Sequence, residues 1–334
     1  MRCPDCNHSQ KYQAGARCGQ CGYRFVFRKK VDQITDSALR QMIQRLSDNG
    51  QYAFTATQLA LVLCRHWRRS TWGTVGCGLI VLLVPLLILI AMGQGIIGAI
   101  LFVVALPLVI HLGRRQATVL PFNKASDLIR RYHQAHPIAG LADGKAFAQQ
   151  DAPLDSQDLY YAPERILVVE RDELVDLLVR NRFHLTAKTA VISQSGYPAR
   201  MLAACREFLR RHPQTPVQLL HDASTGGFGL AARLAADPQW PLAPHPLVDL
   251  GISRETLDSK ARLPWLPPAG VSTEGAYSAD HPPMLRAGRR VPVDHIGPKP
   301  LLSLLSAAVV GGTLLLVTQD ALSNMEMGVE VDYG

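Results

Sequence analysis

Two groups of residues in this 334-residue chain have the types and spacing to do chemistry. The first is Cys3-Pro4-Asp5-Cys6 with Cys18-Gly19-Gln20-Cys21-Gly22, a C-x2-C-x11-C-x2-C pattern. Each pair sets two thiolates on one tight turn, and Gly19 and Gly22 let the backbone fold over an ion. Four thiolates make a closed, tetrahedral, structural zinc site. The segment is too short for a core of its own, so the metal would supply its folding energy. His8 could replace a thiol, but four cysteines suffice; the alternative for such pairs is a redox Cys-x-x-Cys. The second group is Glu170 and Asp222, carboxylates that end the apolar runs starting at Ile166 and Val217. Convergent acids can hold Mg²⁺, which needs one or two carboxylates plus water and phosphate oxygens. The plainer reading is helix capping, because Glu170, Asp172 and Glu173 open the helical stretch Leu174 to Val179, whose dipole favours negative charge.

The elements that must position these acids are legible as alternation. Ile166 to Val169, Ala190 to Ser193 and Val217 to Leu220 are short apolar runs separated by helix-length segments. That pattern predicts βαβ units and a mainly parallel sheet over residues 163–258. Ligands gather outside the carboxyl ends of such strands, where Glu170 and Asp222 both lie. Gly226, Gly227 and Gly229 follow Ser224 and could cradle a phosphate at the N-terminus of a helix over Leu230 to Ala236. The Lys-Ser/Thr of a P-loop is missing. Ser195 is not in a G-x-S-x-G elbow. Cys205 shares an amphipathic face with Met201, Leu202, Phe208 and Leu209 and reads as core.

The remaining chain divides by composition. After the cysteine-rich residues 1–30, residues 31–69 read as two connector helices, one after an Asp36 cap and one behind the capping box Thr55-x-x-Gln58. A DNA-reading helix-turn-helix with Arg65, Arg68 and Arg69 on phosphate is the rival reading. No charged residue occurs from Ser70 to Ile110, so residues 70–113 are expected to form a transmembrane hairpin, about 71–92 and 96–112. Arginines flank it on both sides, which sets both ends in the cytoplasm. Residues 114–162 read as a helix and linker, residues 259–300 as a Pro-rich linker, residues 301–318 as a third transmembrane helix, and residues 319–334 as an acidic tail. The expected fold class is thus multidomain: a four-cysteine zinc ribbon segment, a transmembrane α-helical hairpin and a cytoplasmic α/β domain. An integral protein of the bacterial inner membrane, with the lipid bilayer as one partner, is the matching expectation.

The net charge of +8 fits a nucleic-acid partner or membrane flanks equally. Seven cysteines, an odd number with four in paired spacing, argue against a secreted disulfide framework.

Two resemblances sharpen these expectations. Cys18-Gly19-Gln20-Cys21-Gly22-Tyr23 resembles a zinc ribbon, here residues 1–26, and implies docking or scaffolding. Residues 163–258 resemble the Toprim domain of the topoisomerase VI A-subunit type. Ile166 to Glu170 is similar to that family's first strand with its acid, and Gly196-Tyr197-Pro198 to its Gly-x-Pro. His221-Asp222-Ala223-Ser224-Thr225-Gly226-Gly227-Phe228-Gly229 is similar to its Asp-x-Asp-Pro-x-Gly-x-Gly segment. The resemblance implies a Mg²⁺ site at Glu170 and Asp222, with Ser224 where the family has a second aspartate. Asp158-Leu159-Tyr160-Tyr161 superficially resembles the family's DNA-attacking tyrosine motif but sits on a linker, so topoisomerase cleavage is not supported. The expectation is a protein whose degenerate domain binds a nucleic acid, a nucleotide or a protein partner without turnover. The alternative is a Mg²⁺-dependent phosphoryl-transfer enzyme using Glu170, Asp222 and Ser224. A membrane-lytic effector is a third, weaker reading.

Overall fold

A computed structural model describes residues 1–68, 121–148, 163–242, 245–253, 256–257, 263–268 and 282–311. Its centre is a four-stranded sheet: β3 (Arg165–Val169), β4 (Thr189–Ser193), β5 (Val217–Leu220) and β6 (Leu247–Asp249). A separate pair, β1 (Phe54–Thr55) and β2 (Leu141–Ala142), is also parallel. The order in the large sheet is β4-β3-β5-β6, parallel throughout. Successive side chains of a strand face opposite sides, and here both sides are covered. Leu167, Val169, Val191 and Leu220 pack under the helix Asp172–Arg180, and Ile166, Val168, Ile192 and Leu219 pack against Cys205, Leu209, Leu230 and Leu234. Double coverage is why these strands read as unbroken apolar runs. Because the chain runs β3, then outward to β4, then back across to β5, the order reverses between β3 and β5. Such a switch point opens a crevice at the strands' carboxyl ends.

The N-terminal half is a small helical unit. Helices Asp36–Leu46, 56–68 and Phe122–Ala135 share a core of Leu39, Met42, Leu59, Leu63, Leu128 and Ile129. Thr55 and Gln58 form the reciprocal pair that the capping-box spacing predicts: Gln58 N–H donates to Thr55 Oγ1 (3.1 Å) and Thr55 N–H to Gln58 Oε1 (3.0 Å). The first helix departs from expectation by one residue. Thr35 is its N-cap, accepting from Ala38 N–H (3.2 Å). Asp36 is buried, with its carboxylate taking the Val26 and Phe27 N–H groups and the Tyr23 hydroxyl. The Asn181 side-chain amide pairs with both backbone groups of Ala53, which fastens this unit to the sheet domain.

Three sequence expectations are corrected. Residues 282–296 are not part of a Pro-rich linker but belong to the core: Leu285, Val291, Val293 and Ile296 are fully buried. Prolines break periodicity, yet an irregular segment can be buried when its backbone groups find partners. Here Val291 exchanges two backbone hydrogen bonds with Ala223, and Leu266 pairs with Arg290. Residues 301–318 do not begin as a third membrane crossing. The helix Pro298–Gly311 instead inserts Leu301, Leu305, Ala308 and Val309 into the sheet domain's core. Finally, among the described residues no helix is long and apolar enough to cross a membrane. The hairpin expected over residues 70–113 lies outside the described residues, as do the tail 319–334 and Tyr160-Tyr161. The integral-membrane fold class, the inner-membrane placement and the bilayer as partner are therefore without support.

Candidate functional site

The four N-terminal cysteines converge. The sulfurs of Cys3, Cys6, Cys18 and Cys21 lie within 4.8 Å of one another, with Cys3–Cys21 at 3.4 Å and Cys6–Cys18 at 3.5 Å. Two turns with the same hydrogen-bond pattern achieve this. Cys3 N–H donates to the His8 carbonyl and Asn7 N–H to the Cys3 carbonyl; Cys18 to Tyr23 and Gly22 to Cys18 repeat it. Both turns need a left-handed residue, supplied by Asn7 (φ 59°) and Gly22 (φ 77°). His8 thus serves through its carbonyl. The backbone N–H of Cys21 favours the Cys18 thiolate and, with that of Gln20, holds it at about 6 against desolvation. Although the Tyr23 N–H favours a Cys21 thiolate, desolvation and the three other sulfurs push that thiol up to about 12. Four thiolates this close cannot all ionise without a cation between them, and the cluster can hold a metal ion.

The two acids also meet, at the switch point, but not as an open pair. Glu170 Oε2 accepts the Asp222 N–H at 2.8 Å, and Gln194 Nε2 donates to the Glu170 carbonyl at 2.8 Å. Burial and then the charge of Asp222 raise the Glu170 carboxyl above its ordinary value. Asp222 is only 1% exposed, and both of its oxygens are taken. Oδ1 accepts from Val293 N–H (2.9 Å) and Arg171 Nη2 (3.3 Å); Oδ2 accepts from Arg290 Nη1 (2.6 Å) and lies 3.2 Å from Arg171 Nε. Burial alone would raise Asp222, but Arg171 and Arg290 override it and hold the carboxyl below the usual range. The Arg171 guanidinium also reaches Glu173 (2.6 Å) and buried Asp294, which in turn accepts the Thr55 hydroxyl. Burial raises Asp294 even though Arg171 opposes it. Guanidinium groups thus contact both carboxylate oxygens of Asp222.

Ser224 is engaged as well. It is the N-cap of the one-turn helix Thr225–Phe228, accepting from Gly227 N–H at 2.8 Å. The Phe228 and Gly229 N–H groups donate to the Ser224 and Thr225 carbonyls. Of the three glycine amides expected to cradle phosphate, those of Gly227 and Gly229 are therefore spent within the turn. The glycine at 227 has a packing cause: a Cβ there would strike the Asp222 carbonyl oxygen and come within 2.7 Å of His221 Nδ1. Gly226 borders Glu170 Oε1, to which a Cβ would stand at 3.5 Å.

His221, beside Asp222, shows the same saturation. Nδ1 faces the Asp222 carbonyl (2.7 Å) and Nε2 faces Asp249 Oδ1 (3.0 Å). Both partners are acceptors, an arrangement that favours the doubly protonated ring. Burial lowers its pKa, but the Asp249 carboxylate outweighs that and the net shift is upward; burial would raise Asp249 in turn, but His221 and the Gly251 N–H hold it down. A raised histidine stabilises the fold fully below its unfolded value, about 6.5, and loses that contribution as pH rises through the folded value. A depressed aspartate loses its share as pH falls through its folded value. An NMR titration of the His221 ring should give a midpoint above about 6.5 that drops in Asp249→Asn. A midpoint at or below that reference in the wild type would contradict the pairing.

The cysteines, Glu170, Asp222, Ser224 and the glycines thus lie where strand and spacing logic sets them. Sequence reasoning missed Arg171, Arg290 and Asp294. Arg171 adjoins Glu170 and was the one available signal; the other two arrive from residues 282–296. No family model matches this chain, and neither does any curated protein or solved structure.

Proposed function

We propose that this chain is a zinc-ribbon protein with a degenerate Toprim-like α/β domain that binds a nucleic acid, nucleotide or protein partner and does not cleave phosphodiesters. The observation that carries this reading is the saturation of Asp222 by Arg171, Arg290 and the Val293 N–H. Magnesium retains most of its water and demands near-octahedral oxygen ligands. To reach Asp222 it would have to displace two guanidinium groups, and the departure of Arg171 leaves Asp294 and Glu173 without their cation. Ser224, neutral and committed to a cap, adds no charge to draw the ion. The parallel sheet and its switch-point acids are consistent with Toprim ancestry. Zinc fits the cysteine cluster because a Zn–S bond of about 2.3 Å implies sulfur separations of about 3.8 Å in a tetrahedron, close to the Cys3–Cys21 and Cys6–Cys18 separations. The ribbon is mounted firmly: Arg40 clamps the first turn through the Pro4 carbonyl and Asp5.

The test is a cleavage assay of the full-length chain on duplex DNA, single-stranded DNA and RNA with Mg²⁺ or Mn²⁺. Wild type, Glu170→Gln and Asp222→Asn should all remain at background. Wild-type turnover that disappears in both variants would overturn the binding assignment.

A further inference from the structure

Residues 1–30 hold seven Lys and Arg against one acid, so six of the chain's eight net positive charges sit in that short stretch. The acid, Asp5, is already paired with Arg40 at 2.5 Å. Arg2, Lys11, Arg17, Arg24, Arg28 and Lys30 are all exposed, and none has an acidic side-chain partner among the described residues. Four thiolates around zinc would leave two negative charges at the cluster, so the ribbon stays cationic when loaded.

The arrangement is more telling than the count. Arg17 and Arg24 are directly opposite each other in the antiparallel second turn. The ladder bonds fall on their neighbours, Cys18 to Tyr23 (2.8 Å) and Phe25 to Ala16 (2.8 Å). That makes Arg17–Arg24 a non-hydrogen-bonded pair, the closer kind, with Cα atoms about 4.5 Å apart. Like charges so placed are destabilising. Cys18, Tyr23 and Phe25 are buried, so by alternation the two arginines project together from the outer face. No acidic side chain among the described residues pairs with either arginine; an external anion would.

We infer that this outer face of the ribbon binds the phosphate backbone of a nucleic acid. Guanidinium groups chelate phosphate oxygens bidentately, and a polynucleotide presents closely spaced phosphates that two adjacent arginines can take together. The buried rings of Tyr23, Phe25 and Phe27 offer bases no stacking surface. Contact is therefore with the backbone, and it is independent of sequence. This deepens the proposed binding role by naming its partner, and it rests on the ribbon being folded around its metal.

The test is fluorescence anisotropy of the full-length chain with a short duplex of arbitrary sequence, from about 50 to about 200 mM salt. Zinc content is measured on every sample. Affinity should fall steeply with salt. Arg17→Glu/Arg24→Glu should weaken binding about tenfold or more and flatten the log–log salt slope by about two, while Arg17→Lys/Arg24→Lys retains most of it. Arg28→Glu/Lys30→Glu, outside the cysteine turns, should also weaken binding if the first variant loses zinc. The inference is overturned if binding ignores salt, or if zinc-loaded charge-reversal variants bind like wild type. It is equally overturned if polyglutamate competes as well as unlabelled duplex, which would identify an acidic protein as the partner. Cleavage is read separately, so loss of this inference leaves the catalytic assignment of the acid site testable on its own.

Discussion

Replacing Cys18 by Ser is expected to unfold the ribbon while leaving the parallel sheet intact. The ribbon's own buried cluster is Cys3, Cys18, Tyr23 and Phe25, with Met1 and Cys6 at its edge, so half of it consists of the cysteines that can hold a metal ion. An apolar cluster of that size cannot offset the ordering entropy of a segment this long, at about 1–2 kcal/mol per residue for the backbone. Structural zinc contributes on the order of 10–16 kcal/mol at neutral pH, and in such domains that binding energy is folding energy. The expected readout is hydrogen exchange: the Cys3, Cys18, Gly22 and Phe25 amides, all bonded within the two turns, lose protection in Cys18→Ser or under a chelator. The amides of β3 and β5 keep theirs. The helical unit should loosen locally, because Tyr23 holds Asp36 and Tyr132 through its hydroxyl and stacks on His136 at 4.4 Å. Retained protection after complete metal removal would show that the ribbon folds without an ion.

The second large effect is at Arg171. Its guanidinium serves Glu173, Asp222 and Asp294, and the two aspartates are buried. Removing one partner of a buried ion pair costs about 3–5 kcal/mol, because the remaining charge stays out of water. Arg171→Ala is therefore expected to shift the urea unfolding transition of the sheet domain by that amount. Asp294→Asn should be milder, since burial already favours its neutral form. Combining Arg171→Met with Asp294→Asn should recover part of the loss, since this removes one of the charges Arg171 neutralises. A double-mutant cycle measures this; strict additivity of the two changes would mean that they do not share a network. Arg290, at 2.6 Å from Asp222, would remain to hold that carboxylate, so Arg171→Ala should weaken the domain without abolishing folding.

The legible parts of this molecule are the local ones. Thr55 and Gln58 are three residues apart, and the cysteines of each turn likewise, so spacing alone specifies their geometry. The strands of the large sheet are readable because both faces are buried, and Glu170 and Asp222 come with them as strand-end residues. The grouping that decides the chemistry is not readable. Arg290 lies 68 residues from Asp222, and Asp294 lies 123 from Arg171. Both stand in a proline-interrupted stretch that lacks any period, and its burial depends on backbone pairing with Ala223 rather than on pattern. The helix Pro298–Gly311 escapes sequence reasoning for a related reason. A helix that is apolar and uncharged from Leu301 onward looks alike whether it faces lipid or a sheet, and its contacts through Leu301, Leu305 and the Val309 carbonyl, which accepts from Gln218 Nε2 at 2.8 Å, are all long-range. Asp36 looks like a cap because aspartate favours that position; its actual work is to gather the ribbon's backbone N–H groups.

Arg171 and Arg290 pair with Asp222, and everything proposed for the sheet domain depends on their keeping a divalent cation out. Isothermal titration of the full-length, zinc-loaded chain with Mg²⁺ and Mn²⁺ tests it most directly. The predicted result is no binding through the millimolar range, in wild type and in Asp222→Asn alike. A saturable Mg²⁺ isotherm in the wild type that vanishes in Asp222→Asn would contradict it.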